Sequence, residues 1–261
     1  MPTYLMPVLI VTLPLFAFVA LVLGERLLPT VPTRGRETGT DVMINLSGFA
    51  MQGAVIPALG YFVSAALLPR LAPAAEGVLG LGFWGAFLLC FVGVDALYYC
   101  QHRAFHRLGA LWRLHRCHHA APALSVWATA RNSLLTHFLF VYLLVNPWLA
   151  YLSGSIQGFL LAASVTASLD LWRHSRLAPK PYWPALEWLL ITPRLHHQHH
   201  DAAAPGYNFG ANLSLWDRLL GTLRKDRSYP VAYSVPDAPD AWSQLVHPLA
   251  TGRSPDAPRH A

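Results

Sequence analysis

The sequence predicts an all-α fold, a polytopic transmembrane helical bundle with a cytoplasmic histidine-box cap. Three observations predict it. Long uncharged apolar stretches recur along the chain. Charged residues make up 12% of the 261, against ~25% in an average soluble domain. Nine of the 13 histidines fall in three short boxes at the ends of apolar stretches. A chain that is 54% hydrophobic with mean hydropathy +0.36 is neither disordered nor a nucleic-acid-binding arm. The formal charge of +6 is assigned to membrane orientation, and no nucleic-acid partner is expected. Three cysteines (Cys90, Cys100, Cys117) make no disulfide or CxxC framework.

The first apolar run, Leu5 to Leu23, is long enough to cross ~30 Å of hydrocarbon. Pro7 and Pro14 are expected to kink it. With no Lys or Arg before it and no small-residue cleavage site after it, it reads as an uncleaved span rather than a signal peptide. The second runs from Val42 to Pro69, and the third from Gly77 to Gln101, broken only by Asp95. Asn132 to Leu169 has no Asp, Glu, Lys or Arg and is too long for one span of ~20 residues. Ser153-Gly154-Ser155 divides it into a tight hairpin of two helices. Five hydrophobic segments result, which need not all cross fully.

Basic residues orient them. The loop 24–41 holds Arg26, Arg34 and Arg36, the loop 70–76 holds Arg70 alone, and residues 102–131 hold five arginines. The turn 153–155 has none, and the chain from Arg173 onward has ten Lys or Arg. Rich and poor loops alternate, as the positive-inside rule requires. The N-terminus is therefore expected outside and the histidine boxes and C-terminus inside, next to cellular reductants. Only two of the 19 basic residues are lysines (Lys180 and Lys225), and with abundant Ala, Leu and Pro this points to a GC-rich bacterial genome and a bacterial inner membrane. Three regions follow: N-terminal spans over 1–84, a catalytic domain over 85–225, and a loose cytoplasmic tail over 226–261.

The boxes are His102-x-x-x-His106, His115-x-x-His118-His119 and His196-His197-x-His199-His200. Positions i, i+3 and i+4 share one face of a helix, so each box aims two or three imidazoles in one direction. A single histidine is as easily a core or surface polar residue. Three boxes at the inner mouths of apolar helices are not explained that way. Imidazole suits Zn, Cu, Fe and Ni, and a structural zinc site would be closed by four ligands, usually with cysteine. Eight or nine histidines are about twice what one such ion needs, so two ions sharing them fit better, each with a position open for oxygen. An almost all-imidazole set is neutral, which favours the ferrous state that binds O₂. His174 adds a ninth candidate from a separate helix. Two carboxylates in apolar segments are costly there and so expected to be functional or paired. Asp95, two turns before His102, either supports the site or bonds to Arg103 or a neighbouring helix. Asp170, four residues before His174, can hold that ring's other N–H. His137 is left out as a core histidine. The stretch Trp216 to Thr222 reads as scaffold, with Asp217 pairing Arg218.

At these residues the chain resembles the sterol desaturase and fatty acid hydroxylase superfamily of integral-membrane, non-haem di-iron enzymes. The matching stretches are Asp95 to His106, Leu111 to His119, Thr192 to His200, Asn208 to Gly210 and Trp216 to Thr222. The resemblance implies two iron ions held by His102, His106, His115, His118, His119, His196, His199 and His200. His174 matches an additional family histidine. Zinc is expected as an artefactual occupant on overexpression. The sequence departs from the pattern at Cys100, where relatives often have tryptophan, and at Asn132, Ser133 and Thr136, near which many show a histidine and a glutamate. Asn132 or a water is then expected in place of a tenth nitrogen, and His197, one residue out of pattern, could replace a neighbour. The implied activity is O₂-dependent hydroxylation or desaturation of an unactivated C–H in a lipid, a sterol or fatty acyl chain, that arrives through the bilayer. No cytochrome b5-like motif appears in the sequence, so electrons are expected from a separate ferredoxin or cytochrome b5-like protein with its reductase. The rival reading is a histidine-rich membrane protein that binds or transports metal without oxygenase activity. Its sites would lie near the bilayer midplane.

Overall fold

In a computed structural model the described residues are 5–33, 35–139, 141–204, 206–226, 228–230, 232–233, 235 and 240–249. Arg34, Arg227, Arg253 and Arg259, four members of the orientation argument, lie outside them, as does the tail from residue 250. The described residues contain helices and two isolated bridges, Thr30–Leu177 and Leu190–Leu213, but no strand. The long helices are α1 (Leu5–Leu27), α2 (Gly39–Leu71), α3 (Phe83–Arg107), α5 (Leu134–Ser153, broken after His137) and α6 (Ile156–His174). Shorter ones are α4 (Gly109–His119), α7 (Pro193–His199), α8 (Leu215–Leu219) and α9 (Ala241–Leu245).

Four of them, α1, α2, α3 and α5, are long and apolar enough to cross a membrane. In α1 this surface is lipid-facing, with Val11, Leu15 and Phe16 exposed, and the helix continues through Pro14 without a break. The fifth segment, α6, is less apolar because it is central: it packs against α1, α3 and α5, and its polar positions need not meet lipid. Gly158 lets it approach α3. A Cβ there would lie 2.1 Å from the Phe83 carbonyl oxygen. Below that contact Ala86, Cys90 and Val94 of α3, Val141 and Ala150 of α5, and Phe159 and Ala162 of α6 form one core, in which small residues bring helices close.

Each helix has a local reason to begin or bend. Thr38 starts α2 with a capping box, its hydroxyl accepting from Asp41 N while Asp41 Oδ2 accepts from Thr38 N at 2.9 Å. Widened π-type turns at 51–55, 63–67 and 141–145 each fall just before a proline: Pro57, Pro69 and Pro147. A proline has no N–H and clashes with the carbonyl four residues back, and a widened turn accommodates both faults. Gly154, at φ 81°, turns α5 into α6 at the position the sequence assigns to the hairpin.

The bundle sorts its loops onto two ends. At one end Gly77 N, Leu79 N and Leu81 N donate to the carbonyls of Tyr151, Leu152 and Ser153. At the other, Val31 N donates to Arg176 O, and Glu25 Oε1 accepts from Val126 N and Arg176 N. The arginine-rich loops and all three boxes share this second end, the arginine-poor loops the first. Here three described points of the stretch expected to be loose, Asp226, Tyr233 and Leu245, are docked instead. Gln198 Nε2 donates to Asp226 O, Tyr233 meets His197, and Leu245 of α9 packs with Ile44 and Cys117. Its polar composition concealed a few apolar anchors.

Candidate metal centre

The nine predicted ligands come together. His102 and His106 lie on the last turns of α3, and His115, His118 and His119 on α4. His174 ends α6. On α7, opened by the Thr192 cap and Pro193, stand His196 and His199, with His200 closing it. Their ring nitrogens form two groups, each with its candidate ligand atoms within 4.8 Å of one another. One holds His102, His106, His115, His119 and His199, the other His118, His174, His196 and His200, and all nine residues are buried.

The division refines the expectation that each box aims one way. At about 100° per residue, positions i and i+4 differ by about 40°, whereas i+3 lies on the other side of i and about 100° from i+4. So His115 and His119 join one group and His118 crosses to the other, and on α7 His196 and His200 pair while His199 crosses. The two helices interleave, and both groups receive ligands from both.

Backbone carbonyls orient four rings. His102 Nδ1 donates to Phe209 O, His118 Nδ1 to Arg131 O, His174 Nδ1 to Asp170 O and His199 Nδ1 to Tyr207 O, at 2.8–3.0 Å. With Nδ1 protonated, Nε2 presents a bare lone pair, the arrangement common to metal-bound histidine. His118 Nε2 and His174 Nε2 then face each other at 3.5 Å with no proton between them, a repulsion that a cation removes. Nε2 of His106, His119 and His199 is buried with no protein partner. Burial, with help from neighbouring histidines, lowers the pKa of His118 to about 3, and burial lowers that of His199 to about 4. His118 and His199 are therefore neutral at pH 7, as ligation requires. Nitrogens bound at ~2.1 Å to one ion are about 3–4.2 Å apart, so the ligand atoms of each group, all within 4.8 Å of one another, lie near the separations that one ion requires.

The outer expectations fare unevenly. Asp170 Oδ1 is 3.0 Å from His174 Nδ1 and 2.7 Å from Arg173 Nη2, so both the side chain and the backbone of Asp170 face that ring. Asp95 touches no histidine. Its carboxylate accepts from Asn212 N, Leu213 N and Trp216 Nε1, so the neighbouring-segment alternative describes it. His197 belongs to neither group. Nδ1 bonds the Tyr233 hydroxyl and Nε2 the Ser175 carbonyl, which turns it away from its neighbours. Asn132 lines a small polar cavity against the second group, its Oδ1 buried without a partner. His137 is buried apart from both groups, with neither ring nitrogen partnered. Asp217 does not pair with Arg218, whose guanidinium donates to Glu187 O and lies over Trp188. It accepts instead from Phe209 N and Gly210 N. The carbonyls of Arg131, Tyr207 and Phe209 carry no sequence signal of their own, because every residue has one. The motif Asn208 to Gly210 adjoins the last two, and the departure at Asn132 adjoins the first.

Comparison with known proteins agrees with this geometry. The fatty acid hydroxylase family model matches residues 87–222, more than half of the chain. The chain belongs to the fatty acid hydroxylase family. The matched region contains all nine clustered histidines. Among curated relatives, alkylglycerol monooxygenase of Xenopus tropicalis is 27% identical over 169 residues, covering 62% of this chain and 33% of that protein. An ornithine lipid hydroxylase of Rhizobium tropici is 35% identical over 126 residues, 48% of this chain and 37% of the relative. A fatty acid hydroxylase of a Lecanicillium species is 29% identical over 164 residues, 53% and 43% of the two chains. The similarity thus spans about a third to two fifths of the length of these relatives. No solved structure matches the chain.

Proposed function

We propose that the protein is a membrane-embedded, O₂-dependent oxidoreductase that hydroxylates a lipid C–H, with one iron ion in each histidine group. The observation that carries this reading is the division of nine buried imidazoles into groups of five and four. Bound iron would supply the one-electron chemistry that couples reduction of O₂ to oxidation of an unactivated C–H. The balance is RH + O₂ + 2e⁻ + 2H⁺ → ROH + H₂O, with the electrons delivered by a separate redox protein. The arginine-rich end carries the histidines, so we place it in the cytoplasm, where reductant is available.

The chain's own residues do three things in this scheme. Phe209, Arg131, Asp170 and Tyr207 hold four imidazoles in the tautomer that offers Nε2. Burial of the groups excludes bulk water, which protects the reacting centre from side reactions. The cavity beside His118, His174 and His196 has a volume of about 20 Å³, enough for a water-sized molecule, and is lined by Tyr98, Asn132, Tyr142 and Arg173. A saturated chain there would leave the Asn132 side chain, whose Oδ1 is buried without a partner, unsatisfied. We therefore favour a lipid attacked close to a polar function over one attacked far along an alkyl tail. Two of the relatives are named for an alkylglycerol and an ornithine lipid.

The test uses the full-length protein purified in lipid nanodiscs and loaded with ferrous iron. Two irons per chain and reductant-dependent O₂ consumption with membrane lipid are expected. Mass spectrometry should find a product one oxygen atom heavier. Uptake of a single ion, or two irons with no O₂ consumed on any lipid, overturns the reading. Metal movement into sealed lipid vesicles carrying the reconstituted protein, without O₂ consumption, points to the transport alternative.

A further inference from the structure

The segment 207–213 is irregular, yet most of its backbone groups are captured. Tyr207 O and Phe209 O accept from the rings of His199 and His102. Asn208 takes a left-handed conformation (φ 54°), its amide nitrogen donating to Thr222 O and its side chain to Leu195 O and Arg224 O. Ala211 O accepts from Arg173. Two buried carboxylates take four further amides. Asp95 binds Asn212 N and Leu213 N. Asp217, fully buried on α8, binds Phe209 N and Gly210 N at 2.7 Å each, and Thr222 Oγ1 donates to it at 2.7 Å. Gly210 admits no side chain, since a Cβ there would lie 2.5 Å from Leu213 O and 2.9 Å from Asp217 Oδ2.

A carboxylate is the right group for this position. It accepts two adjacent amide donors and a hydroxyl at once, as charge-assisted bonds, and no neutral side chain offers the same acceptor capacity. The amide it grips at Phe209 belongs to the residue whose carbonyl orients His102. A peptide shift at Phe209 therefore moves the Nδ1 acceptor and with it the direction of the His102 Nε2 lone pair. Both rings served by the segment, His102 and His199, belong to the five-histidine group. The four-histidine group takes its carbonyl acceptors elsewhere, from Arg131 and Asp170.

We propose that Asp217 is a positioning residue for the five-histidine group alone, acting through the clamped segment 207–213 on His102 and His199. The proposal rests on the reading that both groups bind metal. Loss of an orienting partner of this kind typically costs ~10–100-fold in metal affinity, and that loss should be confined to one group.

Cobalt(II) titration of the full-length metal-free protein reads this directly through the ligand-field spectrum. The wild-type chain should take two equivalents. His200→Ala leaves only the five-histidine group intact, and adding Asp217→Asn to it should weaken the remaining site by ~10–100-fold. His106→Ala leaves the other group, and Asp217→Asn should not change it. Tyr151→Phe, which removes a part-buried hydrogen bond to Ala72 O at the opposite end of the bundle, is the control for general destabilisation and should alter neither site. Thr222→Val and Thr222→Ser form a milder pair, with the serine restoring affinity that the valine loses. Equal weakening of both groups, or an unchanged five-histidine site in Asp217→Asn and Thr222→Val, overturns the proposal while the two-metal reading stands. A wild-type chain that binds one equivalent overturns both.

Discussion

The two histidine groups are built from the same helices but supported differently. The five-histidine group takes both of its far-side hydrogen bonds from one irregular segment, 207–213, whose acceptors lie 107 residues from His102 and 8 from His199. The four-histidine group takes its own from two separate segments. Asp170 is one turn before His174, and Arg131 is 13 residues after His118. Only His115 of the larger group reaches the cavity, whereas His118, His174 and His196 of the smaller one line it. Catalytic metal sites keep a position open, and closed ones do not. Under the proposed function the larger group would hold its ion and the smaller would meet substrate and O₂.

Removing one ligand from each group gives the largest expected effect. His199→Ala and His118→Ala should each abolish turnover, but metal analysis should show the deficit in different groups. Loss of both ions from either variant would dissolve the distinction.

Acid should act on both groups together. His118 and His199 have folded-state pKa values of about 3 and 4, below the ~6.5 of an unfolded histidine. The unfolded chain therefore binds more protons between those values. Their contribution to stability is complete above about pH 6.5 and is lost as the pH falls toward the folded values. Thermal melts of the metal-free protein should shift downward from pH 7.5 to pH 5, and a pH-independent melting temperature would contradict the buried, neutral state.

At the cavity, Asn132→Leu should lower kcat/KM about tenfold, the rate equivalent of one hydrogen bond, with both metals retained. Unaltered kinetics would remove the cavity from the substrate path. Asp170→Asn should weaken the four-histidine site by about tenfold, at the low end for an orienting partner, because the Asp170 carbonyl still accepts from His174. The smallest change is expected from His137→Leu. That ring is buried with both nitrogens unpartnered, so its replacement should leave metal and turnover intact and raise the melting temperature. Metal loss in this folded variant would add His137 to the cluster.

Much of the site was legible because its signals are local. Spacings of three and four residues put imidazoles on adjacent helical faces whatever the helices pack against, and a charged residue in an apolar run demands a partner. The docked tail was not legible, since Leu245 finds its neighbours at Ile44 and Cys117, far away in the chain. Nor was the function of Asp95, whose acceptors serve amides 117 and 118 residues onward.

By itself the sequence determined the helices, the alternation of arginine-rich and arginine-poor ends and the nine candidate ligands, because hydropathy, charge and helical period are properties of short windows. Tertiary structure alone decided which imidazole joins which group and which carbonyl fixes its tautomer. It also excluded His197, by pointing that ring at Tyr233 and Ser175. The physical reason is that a ligand set depends on the relative rotation of α3, α4, α6 and α7 about their axes. That rotation is fixed by the packing of residues far apart in the chain, through contacts such as Gly158 on Phe83 and the two carboxylates that clamp 209–213.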